Sequence, residues 1–171
     1  MKFCKKSTFN LSKKDIREII YLKNTHWKFG YSSQLNWFKN KTNVFKGDLH
    51  FFLKKNKKII AYVQLGKRSC LFAKKKGKYI LFRTLIVLKK ERGNDVSEII
   101  MKKVLKFVKL QKLPCFLLCK KNLISFYKKY GLITLKKKNF LVIEHKNNLN
   151  GMIYNLKKKD IKIEKKFFYN S

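Results

Sequence analysis

The sequence predicts an α/β protein whose mixed central β-sheet is flanked by helices, and three observations lead to that prediction. Segments with apolar residues at helical spacing come first, three β-rich segments follow, and helix and strand then alternate. The longest β-rich segment, residues 79–88, is apolar along most of its length, as expected for a strand at the centre of a sheet. The 171 residues are 45% hydrophobic, which is enough to build a core. We therefore expect one domain over residues 1–156 and a basic C-terminal tail over residues 157–171.

Two helices are expected before the first β-rich segment. Ser12 and Asp15 have the spacing of a capping box, and the apolar residues that follow at helical spacing predict a helix over residues 13–23. Ser33 can cap a second helix, which ends in the polar residues 39–43.

The later elements follow from turn and cap signals. The β-rich segments 49–53 and 59–65 are separated by a lysine-rich polar turn, a pattern typical of a hairpin. Asp95 is a good N-cap, with Glu98 three positions on, for the helix with the clearest apolar stripe. The remaining predicted elements are a strand at 115–118, a short helix at 123–130 that Gly131 closes, and a hairpin that joins 140–143 to 152–156.

The strand at 79–88 leads into a turn that suits a phosphate group. Arg92 and Gly93 lie in this turn, just before the helix that Asp95 caps. The first amide N–H groups of a helix have no partner within the helix and carry a partial positive charge, and glycine lets a ligand approach the backbone. The pattern therefore indicates a nucleotide-like ligand such as coenzyme A.

The same segment resembles the acetyl-coenzyme A motif of the GCN5-related N-acetyltransferases (GNAT), Gln/Arg-x-x-Gly-x-Gly/Ala. Arg92 and Gly93 fit the motif, whereas Asp95 and Ser97 replace its two later small residues. Downstream, residues 126–132 resemble the family's Phe-Tyr-x-x-x-Gly-Phe segment. The resemblance extends over roughly residues 10–156 and implies the GNAT (acyl-CoA N-acyltransferase) fold.

The resemblance also implies an activity: transfer of acetyl from acetyl-CoA, a co-substrate, to a primary amine of an unidentified small-molecule or peptide acceptor, without a metal ion. In the family, a backbone N–H group of the central strand polarises the thioester carbonyl, and a tyrosine that maps onto Tyr127 protonates the departing thiolate. The acceptor amine would lie near Trp27, Tyr31 and Trp37. The residues implied to bind the coenzyme are Leu85, Ile86, Val87, Arg92, Gly93, Asn94, Asp95, Val96 and Ser97.

Two features of this implied site depend on acidic residues. No acidic residue lies in residues 79–87, so water, Asp48 and His50 remain alternatives for the base that deprotonates the acceptor. Asp95 is expected to oppose coenzyme binding, because its carboxylate repels pyrophosphate and satisfies N–H groups that pyrophosphate would use. The neighbouring basic residues can offset that charge.

The net charge of +35 supports a second class of function, a catalytically degenerate GNAT-fold module that binds nucleic acid or another polyanion through its lysine-rich surface. Only four of the 44 basic residues are arginine, the residue preferred for bidentate recognition of phosphates and bases. This scarcity argues against a sequence-specific reader of nucleic acid. Lysine also has A/T-rich codons, so a compositional bias of the genome can account for much of the charge.

Cysteine spacing and hydropathy limit what we expect of metal sites, disulfides and membrane spans. The four cysteines have no C-x-x-C spacing and the three histidines are scattered, so we expect free thiols and neither a zinc site nor a disulfide framework. The N-terminal residues are not typical of a signal peptide, and no apolar run approaches the roughly 20 residues of a membrane-spanning helix. We therefore expect a cytoplasmic protein without a membrane span. No pattern indicates the oligomeric state.

Overall fold

Strands and helices alternate along the chain in the order expected of an α/β protein. The computed structural model describes residues 1–42, 47–72, 75–136, 140–142, 149–156 and 166–168. The helices are α1 (Lys13–His26), α2 (Tyr31–Thr42), α3 (Val96–Leu110) and α4 (Ile124–Lys128). The strands are β1 (Lys2–Ser7), β2 (Leu49–Lys55), β3 (Lys58–Phe72), β4 (Lys75–Val87), β5 (Cys115–Cys119), β6 (Ile133–Thr134), β7 (Phe140–Val142), β8 (Asn150–Tyr154) and β9 (Lys166–Phe168).

The chain forms two compact units. The first unit comprises Met1–Gly66 and Thr84–Val104, and the second unit comprises Lys67–Arg83 and Leu105–Ser171. Strands β3 and β4 and helix α3 each contribute residues to both units.

In the first unit the strand order is β1-β2-β3-β4, with β2 antiparallel to β1 and β3. The predicted hairpin of β2 and β3 is confirmed, and its turn consists of Asn56 and Lys57, both with left-handed backbone (φ 49° and 63°). Two left-handed residues make a tight turn whose twist matches that of the strands. Strand β1 was not predicted, because its sequence is rich in lysine. Its residues are exposed or half-buried, and among the described strands it pairs with β2 alone.

Helices α1 and α2 bury apolar side chains against the sheet of the first unit. Helix α1 begins with the predicted capping box, in which the Ser12 hydroxyl accepts from the Asp15 N–H and the Asp15 carboxylate accepts from the Ser12 N–H, both at 3.1 Å. Helix α2 begins at Tyr31 rather than after a Ser33 cap, because left-handed Gly30 (φ 83°) accepts the first helical bond from the Gln34 N–H. The core they share contains Ile19, Ile20, Leu22, Phe38, Phe52, Ile59, Tyr62 and Ile86.

In the second unit the strand order is β3-β4-β5-β8-β6, with β5 parallel to β4 and antiparallel to β8. The predicted hairpin of 140–143 with 152–156 is wrong. Strand β7 pairs with β9, and β8 instead lies between β5 and β6, where Met152 and Ile153 are fully buried. Strand β8 therefore gains a partner on each edge and a buried position for its apolar residues, which a surface hairpin would not provide.

The predicted fold class, a mixed β-sheet flanked by helices, is confirmed, and β4 has a neighbouring strand on each edge as expected of the central strand. The cysteines of the described chain are free thiols, and Cys115 and Cys119 are buried. None of the described helices is both long and apolar enough to cross a membrane. In the predicted basic tail, Lys166–Phe168 form the strand β9, which pairs with β3 and β7.

Candidate active site

The pairing between β4 and β5 is short. It consists of two residue pairs, Ile80 with Cys115 and Leu81 with Phe116, although β4 continues to Val87. The backbone groups of residues 85–87, the segment implied to polarise a thioester, therefore take no part in that ladder. In the resembled family this is the place where the central strand separates from its neighbour.

The hydrogen-bonding direction of β4 changes along its length. The Ile80 N–H donates to the Pro114 carbonyl just before β5, whereas the Leu88 N–H donates to the Ile60 carbonyl of β3, each at 2.8 Å. In a regular strand, N–H groups an even number of residues apart point to the same edge, so the alternation must reverse once between these two residues. The Val87–Leu88 peptide is trans, so the Val87 carbonyl points away from β3.

The Arg92 side chain contacts the C-terminal end of β4. Its Nε donates to the Val87 carbonyl oxygen at 3.2 Å, while the side chain as a whole stays exposed. A single 3-10 turn, Lys89–Glu91, reverses the chain between Val87 and Arg92. The buried Glu91 carboxylate in this turn pairs with the Lys55 ammonium at 3.1 Å. The guanidinium is thus placed beside the open edge of β4 with most of its N–H groups available to a ligand.

The turn before α3 contains two left-handed residues, Gly93 (φ 89°) and Asp95 (φ 46°). The Asp95 carbonyl accepts from the Ile99 N–H at 2.8 Å, so Asp95 is the N-cap residue as predicted. A side-chain cap normally requires extended backbone at this position. The left-handed backbone changes that geometry, and the exposed Asp95 carboxylate makes no hydrogen bond or ion pair with any described residue.

This geometry bears on the expectation that Asp95 would satisfy the first amides of α3. Its carboxylate does not bind them in the described chain, so they are left for another acceptor. The GNAT motif has small residues at positions 95 and 97. The left-handed backbone explains the small residue at position 95, because glycine adopts this conformation without cost while aspartate tolerates it at some cost. The charge repulsion that we expect from Asp95 is unaffected.

Tyr127 lies in α4 of the second unit and is 7% exposed. Its ring makes edge-on contacts with Phe82 and Phe126, at centroid distances of 6.2 and 5.1 Å. Burial, with a smaller contribution from Cys119, raises the pKa of the phenol well above its usual value, so the hydroxyl is protonated at neutral pH. The hydroxyl makes no hydrogen bond to a described residue, yet it is not a fully enclosed atom.

The three residues implied to bind the acceptor lie around α1 and α2 of the first unit. Trp27 ends α1 and is half-buried, while Tyr31 and Trp37 in α2 are each 39% exposed. Tyr31 lines a cavity of about 310 Å³ between the two helices, whose floor includes Leu35 and Phe38. Neither tryptophan lines this cavity, so the structure brings the three side chains to one region without placing them in one pocket.

A buried polar network in the first unit includes both side chains considered as the base. His50 Nδ1 lies 2.8 Å from the Tyr62 hydroxyl, and its Nε2 lies 2.9 Å from the Thr8 hydroxyl. Gln64 donates to the Asp48 carboxylate at 2.8 Å. Burial, with a contribution from the positive charge of Lys23, lowers the pKa of His50 to about 4. Asp48 and His50 are each 1% exposed, so neither can touch an acceptor directly.

Sequence reasoning missed this network as a structural feature. Its signal was present in β2 and β3, where a polar residue stands among apolar ones in segments that should face a core.

Comparison with known proteins identifies the fold. No protein-family model and no curated protein matches the sequence. Among solved structures, Escherichia coli ElaA is 16% identical with a TM-score of 0.64, over 89% of this chain and 97% of its own. The E. coli GNAT family N-acetyltransferase YhbS, solved with CoA, is 10% identical with a TM-score of 0.71, over 100% of this chain and 91% of its own. Bacillus subtilis N-acetyltransferase YlbP, also solved with coenzyme A, is 14% identical with a TM-score of 0.59, over 90% of this chain and 96% of its own.

The chain therefore has the fold of the GCN5-related N-acetyltransferases, and the resemblance seen in its two motif-like segments is confirmed at the level of the fold. The particular reaction, the acceptor and the roles of individual residues belong to the proposal that follows.

Proposed function

We propose that this protein is an N-acetyltransferase that transfers the acetyl group of acetyl-CoA to a primary amine of a small molecule or peptide. The observation that carries the proposal is the end of β4. Within a GNAT fold, this strand leaves its short ladder with β5 and ends beside Arg92, in a turn that leaves the first amides of α3 without a described side-chain partner.

Binding would follow from the electrostatics of this turn. The pyrophosphate would accept hydrogen bonds from the N–H groups of Val96 and Ser97 at the positive end of the α3 dipole. Arg92 would add a charge-assisted bond from its exposed guanidinium. The acetyl carbonyl would accept from a backbone N–H group of residues 85–87, which stabilises the negative charge that develops on its oxygen.

The transfer itself requires two proton movements. The amine attacks the thioester carbon, the carbon–sulfur bond breaks, and the departing thiolate takes up a proton. Tyr127 is our candidate donor, because its raised pKa keeps the phenol protonated and its hydroxyl is free of described protein partners. Since Asp48 and His50 are enclosed, we assign deprotonation of the acceptor ammonium to water.

Titration calorimetry with acetyl-CoA tests the coenzyme site. We expect saturable binding that Arg92→Ala weakens roughly tenfold, the effect of losing about 1.4 kcal/mol of charge-assisted bonding. Arg17→Ala is the matched control, because Arg17 is an exposed arginine in α1 without a described partner. If the wild-type protein binds no acetyl-CoA at millimolar concentration, the enzyme proposal is wrong.

Release of the coenzyme thiol in the presence of a panel of primary amines tests the reaction. We expect turnover with at least one amino-sugar, small amine or peptide N-terminus and only slow hydrolysis without an acceptor. Tight coenzyme binding without transfer to any class of amine would instead support a module that has kept the site and lost the reaction.

A further inference from the structure

A second basic site lies in the first unit and shares no lining residue with the α3 turn. It is an open cleft of about 750 Å³, formed by the start of β1, the start of α1 and the turn between β2 and β3. We call it the lysine cleft, after the six lysines that line it: Lys2, Lys6, Lys14, Lys54, Lys55 and Lys57.

The single acidic residue that lines the lysine cleft, Asp15, is already neutralised. Its two carboxylate oxygens accept from Lys6 at 2.6 Å and from Lys54 at 2.9 Å, and Ser12 adds further hydrogen bonds. Burial acts to raise the pKa of this carboxyl, but the bonds from Lys6, Lys54 and Ser12 together outweigh it and lower the pKa below its usual range. Asp15 is thus a fixed anion, 2% exposed, at the base of the cleft.

The cleft therefore carries a net positive charge that the protein does not balance. Lys55 pairs with Glu91, whereas Lys2, Lys14 and Lys57 have no acidic partner among the described residues. Asp15 also holds two of the lysines in place, which lowers the entropy lost when a ligand binds them. A concave surface with one sign of charge and low-dielectric walls concentrates the potential and attracts anions.

The chemistry of the lining selects among anions. It contains neither arginine nor an aromatic residue, so it offers no bidentate bond to a base edge and no platform for base stacking. Met1 is its one aliphatic residue, so an acidic peptide would find little to anchor its side chains. Ammonium groups alone recognise phosphates as point charges, and an open cleft admits part of a longer chain.

We propose that the lysine cleft binds the phosphate backbone of a nucleic acid, without sequence preference, and that this site is separate from the acetyl-CoA turn. The proposal places the polyanion binding that the net charge suggests at a defined set of residues. It does not replace the proposed enzyme activity, since the two sites use different residues.

Fluorescence anisotropy with a labelled mixed-sequence single-stranded oligonucleotide tests the proposal. We expect binding that weakens steeply between about 50 and 200 mM salt, because neutralised phosphates release their counterions on binding. The double variant Lys14→Gln/Lys57→Gln should bind roughly tenfold more weakly at the lower salt and should reduce the slope of log K against log salt by about 1.4, the value for two lost phosphate contacts on a single strand.

The matched control is Lys106→Gln/Lys109→Gln, which removes the same charge from two exposed lysines of α3. We expect this control to change the affinity much less than the cleft variant does. An equal loss in both variants would show that the charge acts diffusely and would overturn the proposal, as would binding that is insensitive to salt. Circular dichroism melting curves of both variants verify that they fold.

Two competitors identify the ligand. We expect unlabelled oligonucleotide to displace the probe and acetyl-CoA to leave it bound. Displacement by acetyl-CoA at its own dissociation constant would assign the lysine cleft to the coenzyme site and refute a separate one. Tighter binding of inorganic tripolyphosphate than of the oligonucleotide would assign it to a small polyphosphate. Because neither lysine of the cleft variant belongs to the proposed enzyme site, oligonucleotide binding can fail while acetyl transfer persists, or the reverse.

Discussion

Asp95 combines two costs at one residue. It holds a left-handed backbone angle of 46°, and its carboxylate lies in the turn proposed to receive a pyrophosphate. The GNAT motif has a small residue here, which would remove both the negative charge and the steric cost. Substitutions at Asp95 can therefore distinguish the cost of the left-handed backbone from the repulsion between the carboxylate and the coenzyme.

We expect Asp95→Asn to tighten acetyl-CoA binding roughly fivefold at low salt, since a removed repulsion of about 1 kcal/mol corresponds to that factor. Asparagine keeps the shape of aspartate and tolerates left-handed backbone. Calorimetry at low and high salt measures the effect, which should shrink as salt screens the charge. Asp95→Gly is the comparison: a gain with glycine alone would attribute the effect to the backbone, and no gain with either would mean that the carboxylate does not oppose the coenzyme.

We expect stability to fall on mild acidification because of His50. Its folded pKa of about 4 lies below the unfolded value near 6.5, so the unfolded chain binds the proton more readily between these values. The contribution is present above pH 6.5 and is lost as the pH falls towards 4. Between pH 7.5 and 5 the loss is about 2 kcal/mol.

Urea unfolding at these two pH values measures that loss. The variant His50→Gln should be less stable at pH 7.5, because the bonds to Tyr62 and Thr8 are disturbed, and should show a much smaller difference between the two pH values. An undiminished difference in the variant would show that another group titrates.

We expect Tyr127→Phe to lower kcat by about 100-fold, within the range typical of a lost general acid, with the melting temperature nearly unchanged. The ring contacts with Phe82 and Phe126 remain in this variant, so the coenzyme KM should change little. Tyr154→Phe, in β8, is the control for loss of a tyrosine hydroxyl elsewhere in the second unit. Similar kcat values for Tyr127→Phe and wild type would remove Tyr127 from the mechanism.

At the scale of elements, helix ends were predicted more successfully than weak strands. The capping box of α1, the N-cap position of α3 and the closure of α4 by Gly131 (φ 80°) all depend on local backbone geometry that a few residues encode. Strands β6, β7 and β9 have two or three residues each, so their sequences contain almost no periodicity. Their partners are decided by long-range pairing.

The closure of α4 can be tested. We expect Gly131→Ala to lower the free energy of unfolding by about 1–2 kcal/mol, because alanine adopts a left-handed backbone at that cost. Gly47→Ala is the control, since a Cβ there meets no atom within 4 Å and the backbone is not left-handed. Chemical denaturation of both variants gives the comparison, and equal stabilities would show that α4 can end in another conformation.

At the scale of the whole molecule, the fold is shared with solved structures at 10–16% identity while no curated protein matches the sequence. Cores tolerate many substitutions when volume and pattern are kept, so a fold persists after its sequence likeness has faded. The net charge of +35 is a property of the same scale, and composition does not show that six of the lysines line one cleft. Lysines from three distant segments meet there only because β1 and the β2–β3 turn fold onto the start of α1.

The amino-acid sequence alone determined the fold class, the central strand, the cap of α1 and the strand, turn and helix that suit a phosphate, because these depend on periodicity and on residues close together in the chain. The tertiary structure decided which strands pair with β8 and β9, how β4 is released from β5 after Leu81, and that the Asp95 carboxylate leaves the α3 amides unoccupied. Strand pairing balances backbone hydrogen bonds and apolar burial over the whole chain. A local pattern contains only part of that balance.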